Sequence, residues 1–582
     1  MRTITVILTA LFAWSPAAAG EQEDLAAARA VFEQNIAAIR ERDRAKYLSL
    51  YLDDPRLIRT GPAGFSTGFD DFARQAGDRW PDTIEASDMR LTPVQPGFVY
   101  GTYRYRVRYG AEEHSGISER LFLKTPAGWR IALTGAIDTP PGTPPPPRAI
   151  AGGTLIDGRG GPPVGNATVI IRNGRIDCAG RCEVPPGVDV LDATGMWITP
   201  GLIDAHVHFS QTGWADGRPD ALDVRPSHPY EEVEAGLEAG PERFGRSYLC
   251  SGVTTVFDVG GYPWTLRLDE RLGHDSSVPR VVTAGPLLST RDHWVNLPAE
   301  RQFIHLKDEE AGRGGVRYLA ARGAKAVKVW YIEENGAALA AAGDEARKRK
   351  LPLIVHATEL AKAKEAVRAG ARLLVHGIWD EPVDQEFIDL ARRAGTIVTP
   401  TLTVVGGYLR MYRSVLDRTA PAVDDPNRCV DGATLAKVAS TASLPATLVT
   451  GERVARREKT NAGQQRIAEA NLRALVAGGI AIATGTDAGN PLTLHGPAIH
   501  AEMEAMQRAG MTPMQVIVAS TSVAARAAGV DGETGTVEPG KAADLLILGG
   551  DPAAGVASFR DVRYVVRAGV ARGIDELSAM AR

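Results

Sequence analysis

The chain has 582 residues, 44% of them hydrophobic, and 66 basic against 70 acidic side chains give a formal charge of -4. At ~100–200 residues per domain, that length calls for two or more folded domains. Without long like-charge blocks the chain has no electrostatic reason to bind nucleic acid or anionic lipid, so a small-molecule substrate is expected, and the oligomeric state stays open.

The opening segment, MRTITVILTALFAWSPAAAG, carries one Arg, an apolar run and Ala17-Ala18-Ala19. It reads as a signal peptide, residues 1–19, cut before Gly20. The run is too short for a stable bilayer span, so the mature chain is expected to be exported, periplasmic or secreted, without a membrane anchor. Of the four cysteines, Cys178 and Cys182 either close a small disulfide loop or stay as two thiols. Four cysteines make neither a disulfide scaffold nor a cysteine zinc site.

From Leu25 through Ala28, Phe32, Ile36 and Ile39 the apolar spacing predicts a helix with one charged face. In FVYGTYRYRVRYG the tyrosines alternate with Arg104, Arg106 and Arg108, which predicts a half-buried strand with a solvated arginine face. A hairpin follows, turning at Pro126-Ala127-Gly128. Helices followed by strands make residues 20–138 a small α+β domain, and this order resembles the NTF2-like (SnoaL-like) domains. The proline-rich stretch 139–147 is a spacer.

Short β-rich runs in residues 148–198 and again in 534–575 predict a two-part β-sandwich interrupted by a long insertion. That insertion, 199–533, holds eight apolar runs followed by helix-like sequence: LIDAHVH, VTTVFDVG, RVVTAGP, AKAVKVWY, PLIVHAT, RLLVHGI, TIVTPTL and IAIATGTDAG. The predicted fold class is α/β, a (β/α)8 TIM barrel whose site lies at the C-terminal strand ends. Long loops at 210–242 and 404–466 are expected over its mouth.

In a strand, residues two apart share a face, so His206 and His208 point into the barrel together. His356, His376 and Asp487 each stand where an apolar run stops, a pattern suited to a divalent metal. Alternation in GAKAVKVWY turns Lys328 inward, where an isolated ammonium is intolerable. The amine is therefore either modified, for example by carbon dioxide to a carbamate that bridges two metals, or paired with a carboxylate such as Asp487.

The motifs PGLIDAHVH, GVTTVFDVGG, AVKVW, IVHAT, LLVHG, TGTDAG and the segment from HGPAIHAEM to GKAADLLIL resemble the amidohydrolase superfamily over about residues 148–575. The likeness is greatest to its prolidase-like and imidazolonepropionase-like members. It implies two divalent metal ions, zinc by preference, with His206, His208 and Asp487 at the first site and His356 and His376 at the second. Lys328 would be an N6-carboxylysine bridge between them. His293 in STRDHW matches loosely a substrate-binding and catalytic histidine, although the sequence around it departs from the family's glycine-rich pattern. Tyr230 and His495 are further candidates for contact with substrate.

In that chemistry a water shared by two zinc ions ionises near neutral pH, and Asp487 carries its proton to the leaving nitrogen. The expected function is hydrolysis of an amide, peptide or cyclic amide, as by a prolidase-like dipeptidase or carboxypeptidase. The alternatives are a mononuclear deaminase or imidazolonepropionase-like cyclic amidohydrolase, and a binding module with an inactive barrel. The leaving group and the ligand of the N-terminal domain are not encoded in any of these motifs.

Overall fold

The computed structural model describes residues 16–61, 64–76, 80–110, 112–138, 148–273 and 275–581. The chain divides into two units, Met1–Pro144 and Pro145–Arg582. Most of the expected signal peptide, residues 1–15, and the spacer 139–147 lie outside the described residues. No helix among the described residues is long and apolar enough to cross a membrane.

The first unit contains helices α1 (Pro16–Glu41), α2 (Arg44–Ser49) and α3 (Phe69–Gln75). Its strands are β1 (Ile58–Gly61), β2 (Gly64–Thr67), β3 (Thr83–Gln95), β4 (Phe98–Tyr109), β5 (Glu112–Thr125) and β6 (Gly128–Asp138), in the order β2-β1-β6-β5-β4-β3. The apolar stripe of α1 is buried at Ala28, Phe32 and Ile36 in one core with Tyr103 and Phe122 of the sheet. The predicted hairpin joins β5 to β6, with Thr125 opposite Gly128. On the arginine face of β4, Arg104 pairs with Asp88 at 3.2 Å and Arg106 with Glu85 at 3.8 Å, so cross-strand carboxylates balance that stripe.

In the second unit, β7 (Arg148–Leu155), β8 (Val164–Arg172), β9 (Arg175–Gly180), β10 (Asp189–Asp192) and β11 (Trp197–Pro200) precede a long parallel region. That region comprises β12 (Leu202–Val207), β13 (Val253–Asp258), β14 (Arg280–Thr283), β15 (Leu287–Ser289), β16 (Phe303–His305), β17 (Val327–Trp330), β18 (Leu353–His356), β19 (Ala371–Val375), β20 (Ile397–Thr399) and β21 (Ala481–Ile482). The chain closes with β22 (Leu545–Leu548), β23 (Val562–Arg567) and β24 (Val570–Gly573).

Strands from both ends share one eight-stranded sheet, joined where β11 runs antiparallel to β22, so the expected two-part sandwich takes the form of a single sheet. Alternation explains its two faces: Leu545 and Ile547 enter the core of the sheet itself, while Leu546 and Leu548 join the large core around the parallel strands.

Each of the eight apolar runs contains a strand. They fall into two parallel sheets, β12-β13-β14 and β16-β15-β17-β18-β19-β20-β21. Backbone hydrogen bonds cross both seams: Lys325 N donates to Thr283 O at 2.9 Å on one side, and Ala205 N to Thr484 O at 3.0 Å on the other. Val327 and Val329 pack with helix residues such as Ala338 and Ala342, as the alternation requires, and Lys328 takes the opposite face. The stretch 404–466, expected as a loop, contains the helices Val404–Asp417 and Gly432–Ser440 and the start of Gly451–Ala477. Met411, Tyr412 and Val415, at helical spacing, bury one face of the first in a core with Trp214 and Leu222.

Candidate metal centre

His206, His208, Lys328, His356, His376 and Asp487 line one cavity of about 590 Å³. His206 and His356 stand at the ends of β12 and β18, His376 directly follows β19, and Lys328 projects from the middle of β17. Two residues earlier on the same faces, Ala326 and Ile354 belong to an apolar cluster with Phe257 and Leu373, so the polar groups sit above a dry floor.

The donor atoms converge tightly. His206 Nε2 and His208 Nε2 lie 3.2 and 3.1 Å from Asp487 Oδ1 and 3.3 Å from each other. His376 Nε2 is 3.9 Å from Asp487 Oδ2, and its ring centroid lies 4.6 Å from that of His356. With zinc–ligand bonds of ~2.0–2.1 Å, the edge of a tetrahedron is ~3.3 Å. The spacing of the first three donors therefore matches adjacent ligands on one divalent ion. His206 Nδ1 is buried without a hydrogen-bond partner.

Supporting groups fix the imidazoles. His208 Nδ1 donates to Gly260 O at 2.6 Å, leaving Nε2 as the free donor, and His376 Nδ1 pairs with Thr401 Oγ1 at 2.6 Å to the same effect. Asp204 accepts from His206 N and Thr486 N through Oδ1 and from Thr486 Oγ1 through Oδ2. Asp258 accepts from Phe209 N and Gly260 N, clamping the backbone around His208. Asp487 and Thr401 both occupy the left-handed region, at φ 61° and 45°, a conformation uncommon for non-glycine residues and frequent where geometry serves a site. Gly485 must be small, because a Cβ there would meet Thr399 Cγ2 at 2.6 Å and His206 Cβ at 2.8 Å.

Electrostatics favour the ligand forms. Burial pushes the pKa of His206 down to about 3 and those of His356 and His376 well below the usual range, so all three are neutral at physiological pH. At Asp487 burial acts to raise the carboxyl and the imidazoles around it, His206 first, act to lower it, the net direction being well below the usual carboxylate range. Lys328 is 2% exposed, and burial lowers its amine to about 7 against the pull of Asp487. No carboxylate lies within 4 Å of its amine among the described residues, so the ion-pair alternative has no partner in contact.

His293 also lines the cavity, stacked on Phe303 with centroids 4.7 Å apart, its Nε2 3.9 Å from Asp220. Tyr230 is buried behind the wall, where its hydroxyl accepts from Gln302 Nε2 at 2.8 Å; Gln302 is the residue that reaches the cavity. His495 lies behind the ligands, stacked on Phe244 at 3.8 Å, and its Nε2 donates to His208 O. Groups with no sequence signal complete the lining. Arg218 and Asp220 come from the first loop, and Tyr408, Tyr412 and Arg453 come from the helices beyond β20. Asp204 was visible in PGLIDAHVH, on the same strand face as His206.

Residues 197–572 match the amidohydrolase family model. Among curated relatives, the N-acyl-D-aspartate deacylase of Alcaligenes xylosoxydans xylosoxydans is 44% identical over 73 residues, 12% of this chain and 14% of that protein. The imidazolonepropionase of Idiomarina loihiensis is 31% identical over 131 residues, 19% of this chain and 31% of that protein. The chain thus spans less than a third of the length of either relative. A solved Xaa-Pro dipeptidase with bound methionine superposes with a TM-score of 0.58 at 21% identity, over 73% of this chain and 100% of that one. With the family model covering the region that carries every one of these donors, the chain belongs to the amidohydrolase family.

Proposed function

We propose that this protein is an exported, metal-dependent hydrolase of amide, peptide or cyclic amide bonds, in the manner of a prolidase-like dipeptidase or carboxypeptidase. The observation that carries the reading is the convergence of six donor side chains on one cavity. The two parallel sheets are then arcs of one (β/α)8 barrel, a view supported by the hydrogen bonds across both seams.

His206, His208 and Asp487 would hold one ion, His356 and His376 a second, and Lys328 would join them as a carbamate. That carbamate forms when the neutral amine attacks carbon dioxide and releases a proton, and a buried, unpaired lysine suits this reaction. Such ions, when bound, supply Lewis acidity and an acidified water. Asp487, ionised and facing the cavity, is placed to take a proton and deliver it to the leaving nitrogen. The aromatic groups of His293, Phe303 and Trp330 pack on one another and form one wall of the cavity. The imidazolonepropionase-like or deaminase alternative uses one ion, and the grouping of His206, His376 and Asp487 within 4.8 Å favours it.

The helix-and-sheet first unit has the element order of an NTF2-like domain, which we assign to it by that pattern. Export is supported by two disulfides, Cys178–Cys182 and Cys250–Cys429, the second joining residues 179 positions apart. Lys328→Ala should lower bound zinc from two ions per chain and abolish hydrolysis of Xaa-Pro and N-acyl amino acid substrates. Full activity and full metal content in that variant would reject the bridging role.

A further inference from the structure

The cavity presents a third chemistry besides its metal-type donors and aromatic wall. Arg453, Arg456 and Arg457 of the helix Gly451–Ala477 line it at spacings of three, four and one, on one face of the helix. Arg453 is fixed: its guanidinium donates to Ala221 O at 2.9 Å and Tyr412 OH at 3.2 Å and lies 4.6 Å over the Tyr412 ring. None of the three has a carboxylate within 4 Å among the described residues. The neighbouring acid Glu458 is occupied by Arg413. Arg218 differs, since Asp220 neutralises it through two 2.8 Å hydrogen bonds.

Arg453 is half-buried and Arg456 and Arg457 are exposed, and with no carboxylate in contact the three guanidinium groups make one side of the cavity positively charged, a surface that an anionic ligand would balance. Guanidinium forks match carboxylates in shape, and one carboxylate satisfies one or two of them. The aromatic lining at His293, Phe303 and Trp330 accommodates a flat apolar group instead.

Resting on the amide-hydrolase reading, we propose that the substrate is an N-aroyl acidic amino acid. Its aromatic acyl half would lie on the His293–Phe303–Trp330 side and its two carboxylates on the arginine face. In the reaction, water oxygen bonds to the acyl carbon, the C–N bond breaks and a water proton passes to nitrogen. The products are an aromatic carboxylate and a dicarboxylic amino acid.

The test uses the zinc-loaded full chain and has two arms. In calorimetry, glutarate, a dianion without an amide, should bind roughly tenfold tighter than butyrate, and added salt should weaken it. Arg456→Glu or Arg457→Glu should each lower glutarate affinity roughly fivefold. Equal binding of butyrate and glutarate, or tighter binding of inorganic phosphate, overturns the proposal. In the kinetic arm, kcat/KM should fall from N-benzoylglutamate to N-benzoylglycine to N-benzoylglycinamide, and N-acetylglutamate should be cleaved more slowly than its benzoyl counterpart. Equal cleavage of the series overturns the substrate class while leaving the hydrolase reading intact. Cleavage of none, with glutarate bound as expected, supports the anion-binding wall but overturns the aroyl substrate class, and Xaa-Pro dipeptides assayed with the same preparation decide the hydrolase reading separately.

Discussion

Thr401 shows how a side chain that touches no substrate can govern the centre. Its hydroxyl is the partner of His376 Nδ1, and its own backbone sits at φ 45°, which a β-branched residue adopts only when the surroundings impose it. Thr401→Val keeps the volume and removes the hydroxyl. Because partners of this kind set the orientation and basicity of metal-binding imidazoles, zinc affinity should fall roughly 10–100-fold. Competition against a chelator of known affinity measures this, and an unchanged affinity would mean that His376 is not a ligand.

At the scale of elements, the helix Ala498–Arg508 braces the region beyond β20 through Glu502. Its carboxylate accepts from Leu402 N at 2.7 Å, Thr403 N at 3.0 Å and Thr403 Oγ1 at 2.8 Å, at the start of the helix Val404–Asp417. Burial pushes Glu502 up to about 7; the hydrogen bonds from Leu402 and Thr403 and the charge of Arg508 oppose that rise, and Asp204 is the acid coupled to it. A carboxyl raised in the folded state holds its proton there more tightly than in the unfolded chain. Its contribution is therefore largest below about pH 4.5 and fades as pH rises toward 7. The sum is roughly 3 kcal/mol. Glu502→Gln, neutral throughout, should show a flatter stability profile across that window in denaturant titrations. Identical profiles for variant and wild type would remove Glu502 as their cause.

The same comparison shows what the sequence could and could not disclose. Strand ends were legible because an unbroken apolar run that stops at a histidine, as Leu353–Val355 stops at His356, has few other physical readings, while Asp487 stands five residues beyond the strand that ends at Ile482. The supports were not: Asp258 and Thr401 look like ordinary polar residues until the strands bring them beside an imidazole. The helix Val404–Asp417 was hidden because its apolar face includes Gly407 and Ser414 as well as Tyr408 and Met411. The Cys250–Cys429 bridge could not be paired by sequence alone, since its partners are separated by nearly the whole parallel region.

On the scale of the whole molecule, the two units have separate hydrophobic cores: Phe32, Tyr103 and Phe122 centre one, and the parallel strands with their helices centre the other. A truncated chain of residues 145–582 should therefore unfold in one cooperative transition and retain the zinc stoichiometry of the full chain. Loss of that transition would show that the first unit is needed for the second to fold.

Anomalous scattering at the zinc edge from zinc-replete crystals tests the central claim most directly. Two peaks are expected in the cavity, one among His206, His208 and Asp487 and one beside His356 and His376, with density extending Lys328 between them. A cavity without zinc, with the Lys328 amine in contact with Asp487, would contradict the account.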